Sequence, residues 1–203
     1  MIATREQLKQ LTGEDYYSGS LIHNRFAYKF HRKKVLSIGN IVAFRAPMKV
    51  ETSGMIDLED LLDADFIYSD DAINFCWEIP NMCPIGAVAF QRLFNTLIAN
   101  ILSSKYINAP IEMKGDDLIV HKEHNQHGII QSKGKASVSI TYTKNNVAIG
   151  HTGINVNAGK RAPAFAYSTN LTDAQAEAFM LEVIQLFYYL ADDLFVASTK
   201  ITL

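Results

Sequence analysis

Two β-branched runs, Ala136–Thr143 and Val147–Val156, are separated by Asn145-Asn146, a dipeptide suited to a tight hairpin turn. So short a connection makes the two strands antiparallel neighbours. A long helical period stands on each side of this region. From about Ile85 to Ser103, Phe90, Leu93, Phe94, Leu97, Ile98 and Ile101 recur at three- and four-residue steps, with Pro84 where its missing N–H costs nothing. From Asp173 to about Asp192 the stripe is Ala176, Phe179, Met180, Val183, Ile184, Phe187 and Ala191, and Thr172 with Gln175 forms a capping-box pattern. Helices segregated from a run of mostly antiparallel strands predict an α+β fold, not a doubly wound sheet.

Other elements are weaker in the sequence. Residues 4–11 predict a short helix, Tyr17-Ser18-Gly19-Ser20 a turn, and Leu21–Phe30 an extended aromatic segment. A strand is expected at Asn40–Phe44, ended by Pro47, and another at Ala72–Ile79, closed by Pro80-Asn81. Asp117–His121 predicts a strand, and Leu194–Ile201 a closing one. The acidic run Asp57–Asp65 reads as a loop or helical turn with a solvated face, because it lacks the glycine of a calcium loop.

Composition narrows the function classes. With 203 residues, 48% of them hydrophobic, and no linker, repeat or biased tract, residues 1–203 are expected to form one domain. The net charge is −2, and the only basic cluster is His31-Arg32-Lys33-Lys34, so no nucleic-acid partner is expected. The N-terminus has no apolar core of signal-peptide length, and no membrane span is expected, which predicts a cytoplasmic protein. Cys76 and Cys83 do not form a disulfide framework and read as buried or inert thiols. GxSxG, the Walker lysine loop and CxxC are absent, so hydrolase, P-loop and thiol-redox readings lack support.

Chemistry-bearing residues concentrate between Met113 and Asn157. Alternation along ASVSITY sends Ala136, Val138, Ile140 and Tyr142 to one face and Ser137, Ser139 and Thr141 to the other. The hydroxyl row suits either solvent or a ligand. Lys135, at the start of that strand, offers a point charge to a carboxylate or phosphate. His151 is a candidate general base or phosphate donor, or a strand histidine satisfied by its neighbours. His121, His124 and His127 have a metal-like spacing but lie in a polar connection, where solvated histidines are expected. Arg92 interrupts an apolar helix face, as a ligand contact or a snorkelling side chain.

The order MKGDDLIV, GKASVSI, HTGINVN resembles the catalytic domain of biotin and lipoate protein ligases. NIVAFRAPM, MIDLEDL, IYSDDAINFCWEI and the helix after Pro84 extend a resemblance over nearly the whole chain to an uncharacterised prokaryotic family grouped with those ligases. The resemblance implies the α+β sheet shared by biotin and lipoate ligases and class II aminoacyl-tRNA synthetases. It also implies ATP-dependent activation of a small carboxylic acid to an acyl-adenylate and transfer to a carrier-protein lysine, with ATP and Mg2+ as cofactors. By position, Lys135 falls on the ligase lysine that holds carboxylate and adenylate phosphate, and Asp117 on the aspartate of the Asn-Asp pair. Asp116 replaces the asparagine, and the two acids are candidates to hold magnesium or to orient Lys135. Asn155 falls on the asparagine of the GIN turn, and Gly153 would let a nucleotide approach the backbone.

The departures count as much as the matches. In place of the Gly- and Arg-rich adenylate loop stands FRAPMKVETSGM, where Arg45, Lys49 and Gly54 are the available substitutes. Lys114 is one place out of register with the ligases' basic residue, and Val138 occupies the position of a glycine that leaves room for substrate. Two other readings therefore stand beside the ligase: a non-catalytic small-molecule or nucleotide-binding protein that kept the sheet, and a structural subunit of a homo-oligomer.

Overall fold

A computed structural model describes residues 1–31, 38–63, 65–123 and 130–200 and shows an α+β fold. The principal sheet has the order β1 (Asn40–Val50), β2 (Ile67–Pro80), β7 (Val147–Asn157), β6 (Ser137–Lys144), and all its pairings are antiparallel. A smaller antiparallel sheet joins β3 (Ile111–Lys114), β4 (Asp117–Glu123) and β5 (Ile130–Lys135). Ala136 alone separates β5 from β6, so one continuous stretch of chain passes from one sheet to the other. The hairpin forms as the Asn pair requires: Asn145 and Asn146 have φ of 50° and 61°, the left-handed values that Asn tolerates.

Both faces of the principal sheet are covered. On one, helices α5 (Pro84–Ile101) and α6 (Asp173–Thr199) pack Phe90, Phe94, Phe179, Val183 and Phe187 against Ile73, Phe75, Trp77 and Ile154. Each fully buried side chain of this size contributes about 1.5–3 kcal/mol. The Trp77 ring lies over Gly150, where a Cβ would collide with it. On the other face, α1 (Arg5–Thr12), α2 (Ser20–His23) and α3 (Phe26–Phe30) place Leu8, Leu21, Ile22 and Phe26 on Val42, Phe44 and Cys76. A buried Glu78 on this face is met by the Arg25 guanidinium and by the Tyr28 N–H at 3.2 Å.

Several expectations are corrected. Leu21–Phe30 is not extended: it folds into α2 and α3, broken at Asn24-Arg25 where Arg25 has a left-handed φ of 58°, and Leu21, Ile22, Phe26 and Ala27 pack down onto the sheet. Pro47 does not end β1: the pairing shifts register between Ala46 and Met48, the strand lies at the sheet edge, and the Pro47 carbonyl accepts from Tyr17 N at 2.8 Å. No closing strand forms at 194–199. Helix α6 runs on to Thr199, since a consecutive apolar run such as Leu194-Phe195-Val196 fits either state by periodicity. Cys83 is exposed, and its Sγ caps α5 by accepting from Gly86 N at 3.4 Å, whereas Cys76 is buried.

Helix α5 and the π-helical turn that follows it, Leu102–Ile107, are together long and apolar enough by composition to cross a membrane, at a mean hydropathy of 1.3. Phe90, Phe94, Ile98 and Leu102 are instead buried against the sheet as core. His124, His127 and Arg32–Lys34 lie outside the described residues.

Candidate functional site

Where the two sheets meet, a cavity of about 250 Å³ opens beside the edge strand β6. Its base is formed by Asp116, Asp117, Lys135, Ser137, Val138, Ser139 and Asn155. Residues 55–60, which lead into helix α4 (Leu58–Leu62), and residues 65–68 form one wall, and residues 163–166 another. The volume is just below the usual range for small-molecule sites and suits a ligand of few atoms.

Lys135 is held by its backbone on both sides. Its N–H donates to Phe165 O at 2.8 Å, and its carbonyl accepts from Tyr167 N at 2.9 Å and from Asn155 Nδ2 at 3.4 Å. The Nζ lies 2.8 Å from Asp117 Oδ1, with both side chains about 30% exposed, at 31% and 28%. One of three ammonium donors is thereby used, and among the described residues the others have no hydrogen-bond partner. Asn155 is 3% exposed, and with Nδ2 committed to Lys135, its buried Oδ1 has no hydrogen-bond partner among the described residues.

Asp116 sits in the β3–β4 turn, 3.4 Å from Arg92 Nη1 and 3.4 Å from Gln91 Nε2. Burial pushes its carboxyl pKa upward, against the opposing pull of Arg92. The turn is fastened by α5: Asn95 Nδ2 donates to Asp116 O at 3.0 Å, and Asn95 Oδ1 accepts from Thr152 Oγ1 at 2.9 Å. Gln91 and Asn95 are buried one helical turn apart, on a face read in the sequence only through its apolar residues. They are positioning residues that the apolar period concealed, and Leu93, counted in that period, is exposed.

The remaining candidates separate clearly. Ser137 is buried and its Oγ accepts from Leu118 N at 2.9 Å, while Ser139 Oγ donates to His151 O at 3.0 Å and accepts from Gln91 Nε2 at 2.8 Å. The hydroxyl row thus faces α5 and the smaller sheet. Arg45 is not among the cavity-lining residues: its guanidinium is bound to Asp71 at 2.6 Å and to Asp173 at 2.7 Å, which pushes its pKa further up. Lys114 is exposed at the end of β3 and also lies outside the lining. The space over Gly153 is occupied: a Cβ there would stand 2.5 Å from Met48 Sδ and 3.0 Å from the His151 ring.

His151 is fully buried and stacked on Tyr17, with ring centroids 3.5 Å apart. Asn74 Nδ2 donates to Ala46 O and Ala72 O, so its Oδ1 accepts from His151 Nε2 at 3.0 Å. This network fixes the Nε2–H tautomer and leaves Nδ1 a buried acceptor without a partner among the described residues. Burial drives the imidazole pKa down to about 3, so it is neutral over the physiological range. His151 lines a small recess of about 40 Å³, which shares Val138, Ser139, Met55 and Asp60 with the main cavity.

The acidic run is the largest surprise. Asp57, Glu59, Asp60 and Asp65 line the cavity with Asp116 and Asp117, and Lys135 is the only cation among the described lining residues. Asp57 Oδ1 caps α4 through Glu59 N at 2.8 Å. Burial and the neighbouring Asp57 raise the Asp60 pKa. Among the described residues no group of three or more His, Cys, Asp or Glu is arranged to hold a metal, and Asp116 and Asp117 are turned to Arg92 and Lys135.

Comparison with known proteins agrees with this architecture. A solved structure of a protein of unknown function from Pyrococcus horikoshi superposes with a TM-score of 0.76, at 22% identity over 93% of each chain. P. falciparum LipL1 in complex with lipoate gives 0.50 at 12% identity, over 86% of this chain and 62% of that one. Lipoate-protein ligase A bound with ATP gives 0.51 at 9% identity, over 86% and 83%. No curated protein matches. The model of DUF366, a domain of unknown function, matches residues 7–202. The chain therefore belongs to the DUF366 family, and its fold is that of the lipoate protein ligases.

Proposed function

We propose that this protein binds a small carboxylic acid in the cavity at the sheet junction, with the carboxylate on Lys135. The observation that carries the reading is the fixed ammonium of Lys135, clamped by its own backbone and by Asp117 at 2.8 Å, at the base of a ligand-sized cavity. Asp117 orients the lysine through this contact, while its other donors meet the ligand. Solved structures of this fold hold lipoate in one case and ATP in another, which supports a small-molecule ligand for this chain.

A second reading adds catalysis: activation of the bound acid with ATP and transfer to a carrier protein in the cytoplasm. The convergence of Lys135, Asp117 and Asn155 on one cavity favours it. The lining does not fit a bare triphosphate, since among the described residues one lysine faces six carboxylates and Arg45 is turned away. Magnesium entering with the nucleotide would supply the missing positive charge.

The two readings are tested together. Short and medium carboxylic acids are screened for thermal stabilisation, and the same panel is run in pyrophosphate exchange with Mg·ATP. Acid-dependent stabilisation that is lost in Lys135→Ala supports binding. Exchange that requires acid and Lys135 adds catalysis, and stabilisation without exchange leaves a binding protein. If no acid alters the melting temperature or supports exchange, both readings fail.

A further inference from the structure

Three aromatic residues line the cavity that holds Lys135: Phe66 and Tyr68 on one wall and Phe165 on the other. Tyr68 is already engaged. The Arg161 guanidinium lies over its ring, 4.1 Å from the centroid, and its hydroxyl donates to Asp70 Oδ1 at 2.9 Å. Phe66 and Phe165 are 53% and 60% exposed, and among the described residues neither ring meets another ring or a cation. One exposed phenylalanine needs no explanation, but two on the walls of a ligand-sized cavity leave apolar surface in water beside a fixed ammonium.

Both residues stand on tied backbone. The Phe165 carbonyl accepts from Lys135 N at 2.8 Å, and the turn that carries Phe165 is closed by Ala166 N donating to Pro163 O at 2.9 Å, so this residue is anchored beside the lysine itself. Phe66 is held from each side: Asp65 N donates to Asp60 O at 3.0 Å, Asp65 O accepts from Thr52 Oγ1 at 3.0 Å, and Ile67 pairs with Val50. Main-chain bonds of this kind set a wall before a ligand arrives, and such preorganisation lowers the cost of binding. An alkyl chain would gain only area from these walls. A flat ring would gain stacked or edge-to-face contacts as well, and its electropositive edge is a better neighbour than an alkyl chain for the carboxylates of the lining.

We propose that the ligand is an aryl carboxylic acid, with its carboxylate on Lys135 and its ring between the walls that carry Phe66 and Phe165. This rests on the reading of Lys135 as the carboxylate site and adds the group at the other end of the acid. Because Phe165 is hydrogen-bonded to Lys135 through the main chain, a short link joins carboxyl and ring, as in benzoate or phenylacetate. The cavity of about 250 Å³ has room for a single ring. Phe66 and Phe165 are then the specificity-determining residues, while Lys135 supplies affinity for any acid.

Matched ligands separate a flat ring from mere apolarity. Benzoic against cyclohexanecarboxylic acid, and phenylacetic against cyclohexylacetic acid, are titrated by calorimetry and by thermal shift into the intact chain and its Phe66→Leu, Phe165→Leu and Lys135→Met variants. The saturated member of each pair has the greater apolar surface, so walls that were only apolar would favour it. The aromatic member of at least one pair should instead bind about three- to tenfold more tightly. Each Leu substitution should reduce that preference, and Lys135→Met should weaken both members. Equal affinity within both pairs, or a preference for the saturated member, would overturn the aryl inference while leaving Lys135 as a carboxylate site. Leu variants that weaken AMP binding but leave the pairs unchanged would overturn it too, because the rings would then serve a nucleobase. Straight-chain acids that bind where the cyclic ones do not would have the same effect, and if no acid binds at all, both readings fall. Substitutions of exposed side chains are expected to leave the fold intact, and the wild-type comparison needs no variant.

Discussion

At the residue scale, the chemistry turns on who is already satisfied. Lys135 and Asp117 were legible because a lysine leading a strand and an acid opening another are visible in the chain, and both line one cavity. The partners of Arg45 were not: Asp71 and Asp173 lie 26 and 128 residues away. Nor could the sequence show that His151 is sealed against Tyr17 and Asn74. That burial makes a prediction about pH. His151 is neutral in the fold down to about pH 3, but protonates near 6.5 when unfolded. The unfolded chain thus binds more protons between those values, and stability is lost as pH falls through the window, by at most about 1.4 kcal/mol per pH unit for one proton. Urea midpoints measured at about pH 7 and about pH 5 should fall more for wild type than for His151→Gln. Equal falls would place the acid sensitivity elsewhere. A second residue-scale prediction concerns Gly150, which carries no side chain because Trp77 fills the space. Gly150→Ala should cost about 1–3 kcal/mol by overpacking, seen as a lower urea midpoint with an unchanged slope.

At the element scale, helix α5 both packs the core and fastens the β3–β4 turn. Phe90, Phe94 and Ile98 perform the first task, and Gln91 and Asn95 the second. Removing Asn95 as Ala leaves Thr152 Oγ1 and Asp116 O short of a partner, at about 1–3 kcal/mol. It should also loosen the turn beneath Lys135, so Asn95→Ala is expected to weaken acid binding, whereas the exposed Leu93→Ala should not. The capping box of α6 was read directly from Thr172 and Gln175 and is present with both reciprocal hydrogen bonds. Thr172→Ala should lower stability by about 1 kcal/mol in urea unfolding, with no change in ligand affinity. Helix period and capping chemistry are local, which is why these features were visible. The smaller sheet was seen only in β4, since β3 is only four residues long, β5 carries a single apolar residue, and both take their register from pairing with it.

At the scale of the whole molecule, two hydrophobic clusters share one sheet: Trp77 and Phe75 face α5 and α6, while Phe44 and Cys76 face α1 to α3. Neither cluster can be exposed without stripping a face from the same strands. The chain should therefore unfold as one unit, with the near-ultraviolet signal of buried aromatics and the far-ultraviolet signal of helices changing at the same denaturant concentration. Separate transitions would argue for two independent bodies. By itself the sequence determined the α+β class, the Asn145-Asn146 hairpin, the two long helices and the lysine and aspartate of the cavity, because hydrophobic period, turn chemistry and caps act over a few residues. Only the tertiary structure decided that the acidic run 57–65 closes over Lys135, that Gln91 and Asn95 hold the turn, and that Arg45 is withdrawn from the cavity. Those outcomes depend on which distant charges and polar groups come to share a desolvated space, and that is set by the packing of the sheets and helices together.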